Sequence, residues 1–438
     1  MNSPKVVSLF SGCGGLDLGF ERAGFEIVFA ADHDPAAVKA YKRNIGSEAH
    51  VLDVRSNDFE ASLRRVPSCD VLLGGFPCQG FSKAGPKQHT DERNQLYRAM
   101  IKALEILRPA TFVAENVDGL AQNFSGRFLK EIINDCAAVG YSVEWKLVDA
   151  AWFGIPQHRR RILIVGRRAD LSGELNFDWP IADHEPITRN GERALHHEYK
   201  FWAGSLQAPR TLADAIADIP ANAADHETRT AAKTSKTLAI MRSIKTGQKL
   251  CNARHDVTSV KTWDIPEAYG ETTPDEREIL NLIVRNRRHK KYGSIPNGNP
   301  LSLVTISALC GREVSLAELA SLVSRGFLKQ VGEKWDVAGA MFASGLYKRP
   351  QWQVPSPTVL TNFDNPRFFL HPTANRPFTV REVARMQTFP DNFVFQDAGV
   401  SPREAYRLVG NAVPPLLGMK VALAIMDMLA KRVARAAA

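Results

Sequence analysis

The amino-acid sequence predicts an α/β protein with a doubly wound, mostly parallel sheet. Over the first 170 residues, short apolar runs alternate with amphipathic stretches, a glycine-rich turn follows the first run, and acidic residues follow the second run and the short stretch VL before Asp53. Such alternation places helices on both faces of a parallel sheet. With 438 residues, the chain is long enough for two or three domains.

The elements of this first region follow from the hydrophobic pattern. The strand candidates are KVVSLFSG, FEIVFAAD, CDVLLGGFP, TFVAENV, YSVEWKLVDA and RRRILIVGRR. LDLGFERAG, DPAAVKAYKRNIG, NQLYRAMIKALEILRP and SGRFLKEIINDCAAVG have the spacing of amphipathic helices. Asp34 and Pro35 form a helix start signal, with an N-cap followed by proline in the first turn.

The pattern changes beyond Arg168, where residues 170–260 are polar and weakly periodic. From Thr273, PDEREILNLIVRNRRHK, LSLVTISALCG and VSLAELASLVSRGFLKQ predict three helices, and RGFLKQVGEKWDV predicts a small hairpin. This order fits a winged helix-turn-helix, or a helical insertion that packs on its neighbours. We predict one domain from residues 1–170 completed by 376–438, which ends in a long amphipathic helix. A second domain spans 171–375, with the winged-helix-like insertion at about 273–340.

Composition narrows the functional classes. The formal net charge is 56 − 47 = +9, and the run RNRRHKK, Arg285 to Lys291, predicts either phosphate contacts or the solvated end of a helix. The start of the chain lacks a secretion signal and no apolar run predicts a membrane span, so we expect a cytoplasmic protein. The six cysteines are scattered, which argues against a metal site or a disulfide framework.

A glycine-rich loop lies in LFSGCGGLDLGF, between the first strand and the first helix. Gly12, Gly14 and Gly15 do not match the GxGxxG spacing of pyrophosphate binders. The loop therefore fits a cofactor with a carboxylate and no phosphate, such as S-adenosylmethionine, or a tight turn alone. Asp32, about twenty residues past Gly12, is placed to take ribose hydroxyls, and Asp53 to lie near an adenine amino group; either could instead be a cap or turn residue.

Cys78, in GGFPCQGFS, follows a buried strand and is expected at the carboxyl edge of the sheet, as a buried thiol or a nucleophile. Glu115 ends the next strand at the same edge. In QHRRR, Gln157, Arg159 and Arg161 share one face at a period of two. A thiolate that adds to carbon 6 of cytosine makes carbon 5 nucleophilic, and an acid at nitrogen 3 stabilises the adduct.

These stretches resemble the cytosine-C5 DNA methyltransferase family. LFSGCGGLDLGF, GGFPCQGFS, ENV and QHRRR match its cofactor, nucleophile, acid and QxRxR motifs, and RPFTVREVARMQTFPD and GNAVPP its two closing motifs. The motifs keep the family order over about 170 residues at the front and 65 at the back. The resemblance implies a methyltransferase fold with a variable target-recognition domain. It also implies methyl transfer from S-adenosylmethionine to a flipped-out cytosine, which leaves S-adenosylhomocysteine and needs no metal.

The resemblance also implies roles for individual residues. Cys78 is the nucleophile, Glu115 the acid, Arg161 a contact to the base or a brace for the acid, and Arg159 a further part of the site. Cofactor contacts are expected from Phe10, Ser11, Gly12, Gly14, Gly15, Leu16, Asp32, His33, Asp53, Val54, Pro77, Asn411, Ala412 and Val413. His33 stands where relatives often carry a tryptophan. DNA contacts are expected from Gln79, Ser82, Arg93, Gln157, Arg285, Arg287, Arg288, Lys290 and Lys291.

The expected partner is double-stranded DNA, which would associate the enzyme with the bacterial nucleoid. A cognate restriction endonuclease would act on the same site without a stable complex, and no membrane partner is expected. Two rivals share the scaffold: a transfer-RNA cytosine methyltransferase, disfavoured by the large middle region, and a catalytically silent DNA-binding protein. A nicotinamide-dependent oxidoreductase is disfavoured by the loop spacing.

Overall fold

The computed structural model describes residues 3–77, 96–122, 126–171, 177–187, 199–220, 234–295, 297–339, 345–396 and 399–436. The chain divides into two compact units. The first unit comprises Met1–Ile219, Trp352–Asn362 and Val380–Ala438, and the second comprises Pro220–Gln351 and Phe363–Thr379.

The first unit is built on a central sheet. Its strands within the described residues are β1 Lys5–Leu9, β2 Glu26–Asp32, β3 Ala49–Val51, β4 Val71–Gly74, β5 Thr111–Val117, β6 Tyr141–Asp149 and β7 Arg160–Arg168, in the order β3-β2-β1-β4-β5-β7-β6. The pairs that join β1 to β5 are parallel, and β7 runs antiparallel to both β5 and β6. The predicted doubly wound, mostly parallel sheet is confirmed.

Helices cover both faces of this sheet. In the first part of the chain they are α1 Gly15–Arg22, α2 Pro35–Asn44, α3 Asp58–Arg64, α4 Tyr97–Leu107, α5 Gly119–Gln122 and α6 Arg127–Ala138. The four helices predicted from periodicity are present as α1, α2, α4 and α6; α3 and α5 are too short to show a period. The side chain of Asp34 caps α2 as expected, because its Oδ1 accepts from the backbone N–H of Ala36 at 3.0 Å.

Alternate residues of the strands enter two separate apolar clusters. Val6 and Leu73 pack in one cluster with residues of the C-terminal helix, while Val7 and Leu72 pack in the other with α4 and α6. This alternation is the period of two expected for strands buried on both faces. Burial of both faces fixes the register of the strands, and therefore fixes where their carboxyl ends meet.

The C-terminal helices complete the first unit. They are α13 Val380–Met386, α14 Pro402–Asn411 and α15 Pro415–Ala436. α15 packs on α1 at close range, because a Cβ on Gly19 would lie 2.5 Å from the backbone nitrogen of Met419. The segment Pro402–Val433 is the one described helical segment long and apolar enough to cross a membrane, but 61% of its apolar window is buried inside the protein. It is therefore a core element.

The domain boundaries differ from the prediction. The first unit extends to Ile219 and also includes Trp352–Asn362, whereas the sequence predicts that both added parts belong to the second domain. The added part holds β8 Ala182–His184, β9 Trp202–Gln207 and α7 Leu212–Ile216. Trp179 and Tyr199 are buried in the same cluster as Trp152, and the backbone N–H of Leu212 donates to the carbonyl of Val354. Aromatic packing and backbone pairing therefore hold these segments on the first unit.

The second unit contains the region predicted as a winged helix. Its elements are α8 Ser235–Ser243, β10 Lys249–Leu250, β11 Ser259–Val260, α9 Pro266–Tyr269, α10 Pro274–Asn286, β12 Leu301–Ser302, α11 Leu303–Cys310, α12 Leu316–Ser324, β13 Leu328–Val331 and β14 Lys334–Val337. Strands β12, β14 and β13 form a small antiparallel sheet in that order. The elements from α10 to β14 follow each other as in a winged helix-turn-helix. The two-residue strand β12 was not predicted.

Candidate active site

A cavity of about 450 Å³ lies in the first unit, at the carboxyl ends of β1, β2, β4 and β5. This size suits a small organic ligand. Its lining includes Phe10, Ser11, Gly12, Gly15, Leu16, Asp32, His33, Pro77, Glu115, Arg159, Arg161, Asn411, Ala412 and Val413. All of these are residues that the sequence singled out, so most of the predicted cofactor and catalytic side chains converge on one site.

The glycine-rich loop forms one wall of the cavity. The backbone N–H of Gly12 donates to Oδ2 of Asp32 at 2.8 Å, which ties the loop to the end of β2. A Cβ on Gly15 would lie 2.2 Å from the carbonyl oxygen of Val413, so only glycine lets the closing segment approach this closely. The hydroxyl of Ser11 is buried without a hydrogen-bond partner among the described residues. The wall therefore presents a free polar atom to a ligand.

Acidic side chains also line the cavity, next to this loop. Nδ1 of His33 lies 3.3 Å from Oδ1 of Asp32, and this hydrogen bond raises the pKa of the His33 imidazole. Burial alone would raise the pKa of Asp34, but its hydrogen bond from Arg407 and the guanidinium charge lower the pKa below its usual value. Arg407 also lines the cavity. Arg407 was not predicted from the sequence, where its position shortly before the GNAVPP motif is the only indication of a role.

Three predicted cofactor residues lie elsewhere. Among the described residues, the cavity lining does not include Gly14, Asp53 or Val54. A Cβ on Gly14 would meet Ile45 of the α2 end, so this glycine faces away from the cavity. The Asp53 carboxylate pairs with Arg55 at 2.7 Å, and this hydrogen bond lowers the pKa of Asp53 to about 2.

A buried carboxyl group lies at the floor of the cavity. Asp17 is 1% exposed and accepts hydrogen bonds from the hydroxyls of Ser8 and Tyr41, both at 2.8 Å. Burial raises the pKa of Asp17 to about 6, even though both hydrogen bonds favour the ionised form. A carboxyl group with this pKa changes charge close to neutral pH.

The catalytic carboxylate predicted from ENV lies at the end of β5. Glu115 is 8% exposed, and its Oε1 lies 2.6 Å from Nε of Arg161, the second residue of the neighbouring strand β7. The antiparallel register pairs Arg161 with Val117, two residues beyond Glu115. The side chains of Glu115 and Arg161 therefore reach the same edge of the sheet. Next to Glu115, Nδ2 of Asn116 donates to the carbonyl of Phe76 at 2.9 Å. Asn116 therefore fixes the backbone that leads into the cysteine loop, a role not predicted from the motif.

The nucleophile loop itself lies outside the described residues, as do Cys78, Gln79, Ser82 and Arg93. The described loop stem ends at Phe76 and Pro77, and both line the cavity. Three described cysteines near the sheet are poor nucleophiles, because burial raises the pKa of Cys13, Cys69 and Cys136 to about 12. The thiolate form is the reactive one, so these three are unsuited to catalysis.

Arg159 of the QHRRR motif braces the site from inside. Arg159 is 1% exposed and donates to the carbonyls of Val359 at 3.2 Å and Gly410 at 3.1 Å. Burial lowers the pKa of its guanidinium well below the usual value. Arg159 therefore joins the segment Trp352–Asn362 to the closing motif while lining the cavity.

The DNA-contact prediction for Gln157 is wrong. Its side chain is 0% exposed, its Nε2 donates to Oε1 of Gln387 at 2.7 Å, and its Oε1 accepts from the N–H of Val359 at 2.8 Å. Gln387 is equally buried and donates to the carbonyls of Val409 and Ala412. Gln387 was missed, although it lies within the quoted closing motif. The two glutamines are internal supports of the cavity wall.

The predicted DNA contacts of the second unit divide into two groups. Arg285, Arg288, Lys290 and Lys291 are exposed. Arg287 is 1% exposed, and its guanidinium makes two 2.7 Å hydrogen bonds to Asp336. The prediction for Arg287 is therefore wrong, because its charge is already paired inside the unit. Among the described residues, no group of His, Cys, Asp and Glu side chains could hold a metal ion.

Comparison with known proteins covers nearly the whole chain. A family model for C-5 cytosine-specific DNA methylases matches residues 4–427. Type II methyltransferase M.NgoFVII of Neisseria gonorrhoeae is 30% identical over 429 residues, which cover 97% of this chain and 87% of the relative. M.AgeI of Thalassovita gelatinovora is 31% identical over 443 residues, covering 95% and 98%. The crystal structure of an E. coli prophage protein described as a DNA modification methyltransferase shares the fold, with a TM-score of 0.52, 22% identity and coverage of 98% and 100%.

Proposed function

The chain belongs to the C-5 cytosine-specific DNA methylase family and is a DNA (cytosine-5-)-methyltransferase that uses S-adenosylmethionine, and we propose that the cavity of the first unit is its active site. The observation that carries this proposal is the buried ion pair between Glu115 and Arg161 on the cavity wall. An acid held at this point, directly beside the stem of the Cys78 loop, is what methyl transfer to cytosine requires.

The residues present fit the cofactor. The unpartnered hydroxyl of Ser11 and the carboxylate of Asp32 line one side of the cavity and offer polar groups to an amino acid and a ribose. Ala412 and Val413 supply an apolar wall. When bound, S-adenosylmethionine supplies an electrophilic methyl group on a positively charged sulfur, and S-adenosylhomocysteine is the product.

We assign the first covalent step to Cys78. Its thiolate adds to carbon 6 of the target cytosine, and Glu115, in its protonated form, donates a proton to ring nitrogen 3 as negative charge develops there. Arg161 holds Glu115 in place through the 2.6 Å contact. The cytosine must leave the duplex to reach these groups, so the target base is flipped out, and Gln79 and Ser82 would follow the strand left behind.

The adduct makes carbon 5 electron-rich, and the new bond forms between carbon 5 and the methyl carbon while the bond from carbon to sulfur breaks. Carbon 5 then loses its proton to solvent. The electrons of that bond expel the Cys78 thiolate from carbon 6, and nitrogen 3 returns its proton to Glu115, which restores the aromatic ring and the free enzyme. No redox step is involved, and none of these steps calls for a metal ion.

The second unit would bind the target DNA through the exposed cations Arg285, Arg288, Lys290 and Lys291, with Arg93 of the cysteine loop as a further contact. The partner is double-stranded DNA. The protein would act in the cytoplasm, where its DNA substrate associates it with the nucleoid. Because the relatives are Type II methyltransferases, we propose that a restriction endonuclease acts on the same site without a stable complex.

The experiment that tests this function is transfer of tritium from labelled S-adenosylmethionine to genomic DNA and to bulk transfer RNA. Cys78→Ala is measured beside the parent protein. Label in DNA that disappears in the variant is the expected result. Label confined to transfer RNA would contradict the DNA assignment and favour the RNA-modifying rival.

A second measurement addresses the silent-scaffold rival. In DNA that carries 5-fluorocytosine, carbon 5 holds fluorine, which cannot leave as the proton does. A covalent adduct between the parent protein and this DNA should therefore survive denaturing gel electrophoresis, and it should be absent with Cys78→Ala. Binding of S-adenosylhomocysteine without label transfer and without adduct would show a protein that keeps the site but performs no chemistry.

A further inference from the structure

The segment from α10 to β14 is a winged helix by element order, but the helix that usually reads DNA is unsuited to that task. In helix-turn-helix proteins the second helix of the motif enters the major groove and contacts bases with its N-terminal residues. The equivalent helix is α12. Its exposed positions are Leu316, Ala317, Ala320, Ser321 and Ser324.

The cations at both ends of α12 are neutralised. Nη2 of Arg312 lies 2.9 Å from Glu318 and 3.9 Å from Asp275. Arg325, at the other end, forms an ion pair with Glu276 and donates to the carbonyl of Glu271. Within the described part of this helix face, no unpaired cation remains for phosphate. Neither do its exposed side chains supply the bidentate donors that read guanine or adenine.

A basic surface lies on another part of the same fold. Between Glu278 and Glu313 the chain contains no acidic residue, and five of its six cations fall within Arg285–Lys291. Arg288, Lys290 and Lys291 are exposed. This run continues beyond the end of α10 into a 3₁₀ turn, where Nζ of Lys291 lies over the ring of Tyr292 at 4.7 Å. The charge of Lys291 is therefore held by local structure, in contrast to a freely solvated helix end.

The buried pair of Arg287 and Asp336 joins this run to the wing. Nε and Nη2 of Arg287 donate to the two carboxylate oxygens at 2.7 Å each, and Nη1 donates to the carbonyl of Asn297. Lys329, paired with Asp336 across the hairpin, places its Nζ 3.8 Å from the same carboxylate and is half exposed. Because Arg287 already neutralises Asp336, Lys329 adds a positive charge to the surface.

We propose that this basic surface, formed by Arg288, Lys290, Lys291 and Lys329, carries the winged helix onto DNA by contacting phosphates, and that α12 does not read bases. The proposal rests on the proposed function, because it assumes that the chain binds double-stranded DNA. It assigns to this subdomain a contribution to affinity that is independent of base sequence. Base readout must then come from other parts of the protein.

Two triple variants of the full chain test the proposal, because each lowers the net charge by the same amount. Arg288→Gln, Lys290→Gln and Lys291→Gln remove the surface, whereas Ala317→Glu, Ala320→Glu and Ser321→Glu make α12 acidic. Binding to a short random-sequence duplex is measured against salt concentration, and the melting temperature of each variant is checked against the parent. We expect the first variant to bind at least about tenfold more weakly at low salt, with a salt slope shallower by about 2 to 3.

The acidic α12 variant should bind like the parent. If it loses affinity as much as or more than the glutamine variant, α12 lies against DNA and the proposal is overturned. If neither variant changes binding, the subdomain does not contact DNA and the proposal is equally overturned. Tritium transfer by the parent separates these outcomes from failure of the proposed function, which would appear as absence of label in DNA.

Discussion

Gln157 and Gln387, which are 230 positions apart in the sequence, form a 2.7 Å hydrogen bond that neither shares with solvent. The bond joins the turn before β7 to the end of α13, and Gln387 continues to the carbonyls of Val409 and Ala412 beside the cavity. A buried amide that loses its partner costs about 1–3 kcal/mol, whereas replacing both partners by apolar groups of similar shape costs much less.

A double-mutant cycle with leucine tests this pair. Gln157→Leu and Gln387→Leu should each lower the free energy of unfolding in urea by about 1–3 kcal/mol, and the double variant should lose less than the sum. Because Ala412 lines the cavity, Gln387→Leu should also weaken binding of S-adenosylhomocysteine. The exposed Gln207 serves as a control, since Gln207→Leu should leave both quantities near the parent values. Simple additivity of the two core variants would contradict the coupling.

Glu115→Gln tests the assignment of the acid. The amide keeps the shape of the carboxylate and its place near Arg161, but it cannot deliver a proton to the cytosine ring. Since general acid catalysis contributes on the order of 10²–10⁴ in rate, we expect single-turnover methyl transfer to slow by at least about a hundredfold. Binding of S-adenosylhomocysteine should change little. Glu105→Gln, on the exposed side of α4, is the matched control, and a Glu115→Gln rate close to the parent's would remove Glu115 from the mechanism.

The sequence placed Glu115 and Arg161 at one edge of the sheet, where the structure also has them, for a physical reason. Glu115 lies near the end of one buried strand and Arg161 near the start of its neighbour, and hydrophobic runs locate such strands without knowledge of the rest of the fold. The side chains of Gln157 and Arg287 were misjudged because polarity and charge are visible in a sequence, while burial is not. Their partners, Gln387 and Asp336, lie 230 and 49 positions away.

The predicted domain boundaries differ from the bounds of the two compact units for a related reason. The segment Trp352–Asn362 has no regular period, so nothing local assigns it to either unit. It belongs to the first unit because it forms hydrogen bonds with the turn before β7. The N–H of Val359 donates to the side chain of Gln157, and the N–H of His158 donates to the carbonyl of Ser356. Long-range backbone pairing of this kind decides where an irregular segment lies, and a single sequence does not reveal it.

Asp17 should make stability depend on pH. Its pKa rises from 3.8 to about 6 in the folded protein because burial disfavours the charged form. The folded state therefore holds this proton more tightly than the unfolded state. The resulting stability is fully present below pH 4 and is lost as pH rises through 6, with a total of about 3 kcal/mol at 1.36 kcal/mol per pKa unit.

Asp17→Asn isolates this contribution, because asparagine cannot ionise and the hydroxyls of Ser8 and Tyr41 can turn to match its amide. Urea unfolding is measured between pH 4.5 and pH 7.5 for the parent and the variant. The stability of the variant relative to the parent should rise with pH over this interval and level off above about pH 7. A constant difference at all pH values would show that Asp17 keeps an ordinary pKa.

The buried pair of Arg287 and Asp336 should be more important for the winged helix than any of its exposed charges. Removing one partner of a buried ion pair leaves an unpaired charge and costs about 3–5 kcal/mol, whereas replacing both by apolar side chains is often neutral. We therefore expect Arg287→Met to lower the unfolding midpoint of the second unit strongly, and Arg287→Met with Asp336→Leu to recover most of the loss. Arg288→Met, an exposed neighbour, is the control and should change stability by less than about 0.5 kcal/mol.

The same variants separate stability from DNA binding. Arg288→Met should keep the melting temperature and weaken binding to random-sequence DNA, because it removes an exposed cation from the basic surface. The Arg287→Met and Asp336→Leu double variant should keep Arg288, Lys290 and Lys291 and therefore bind DNA, provided that the apolar pair still holds the wing in place. If the double variant is stable but binds as weakly as the glutamine triple variant, Arg287 contributes directly to DNA binding, and its assignment as an internal brace would be wrong.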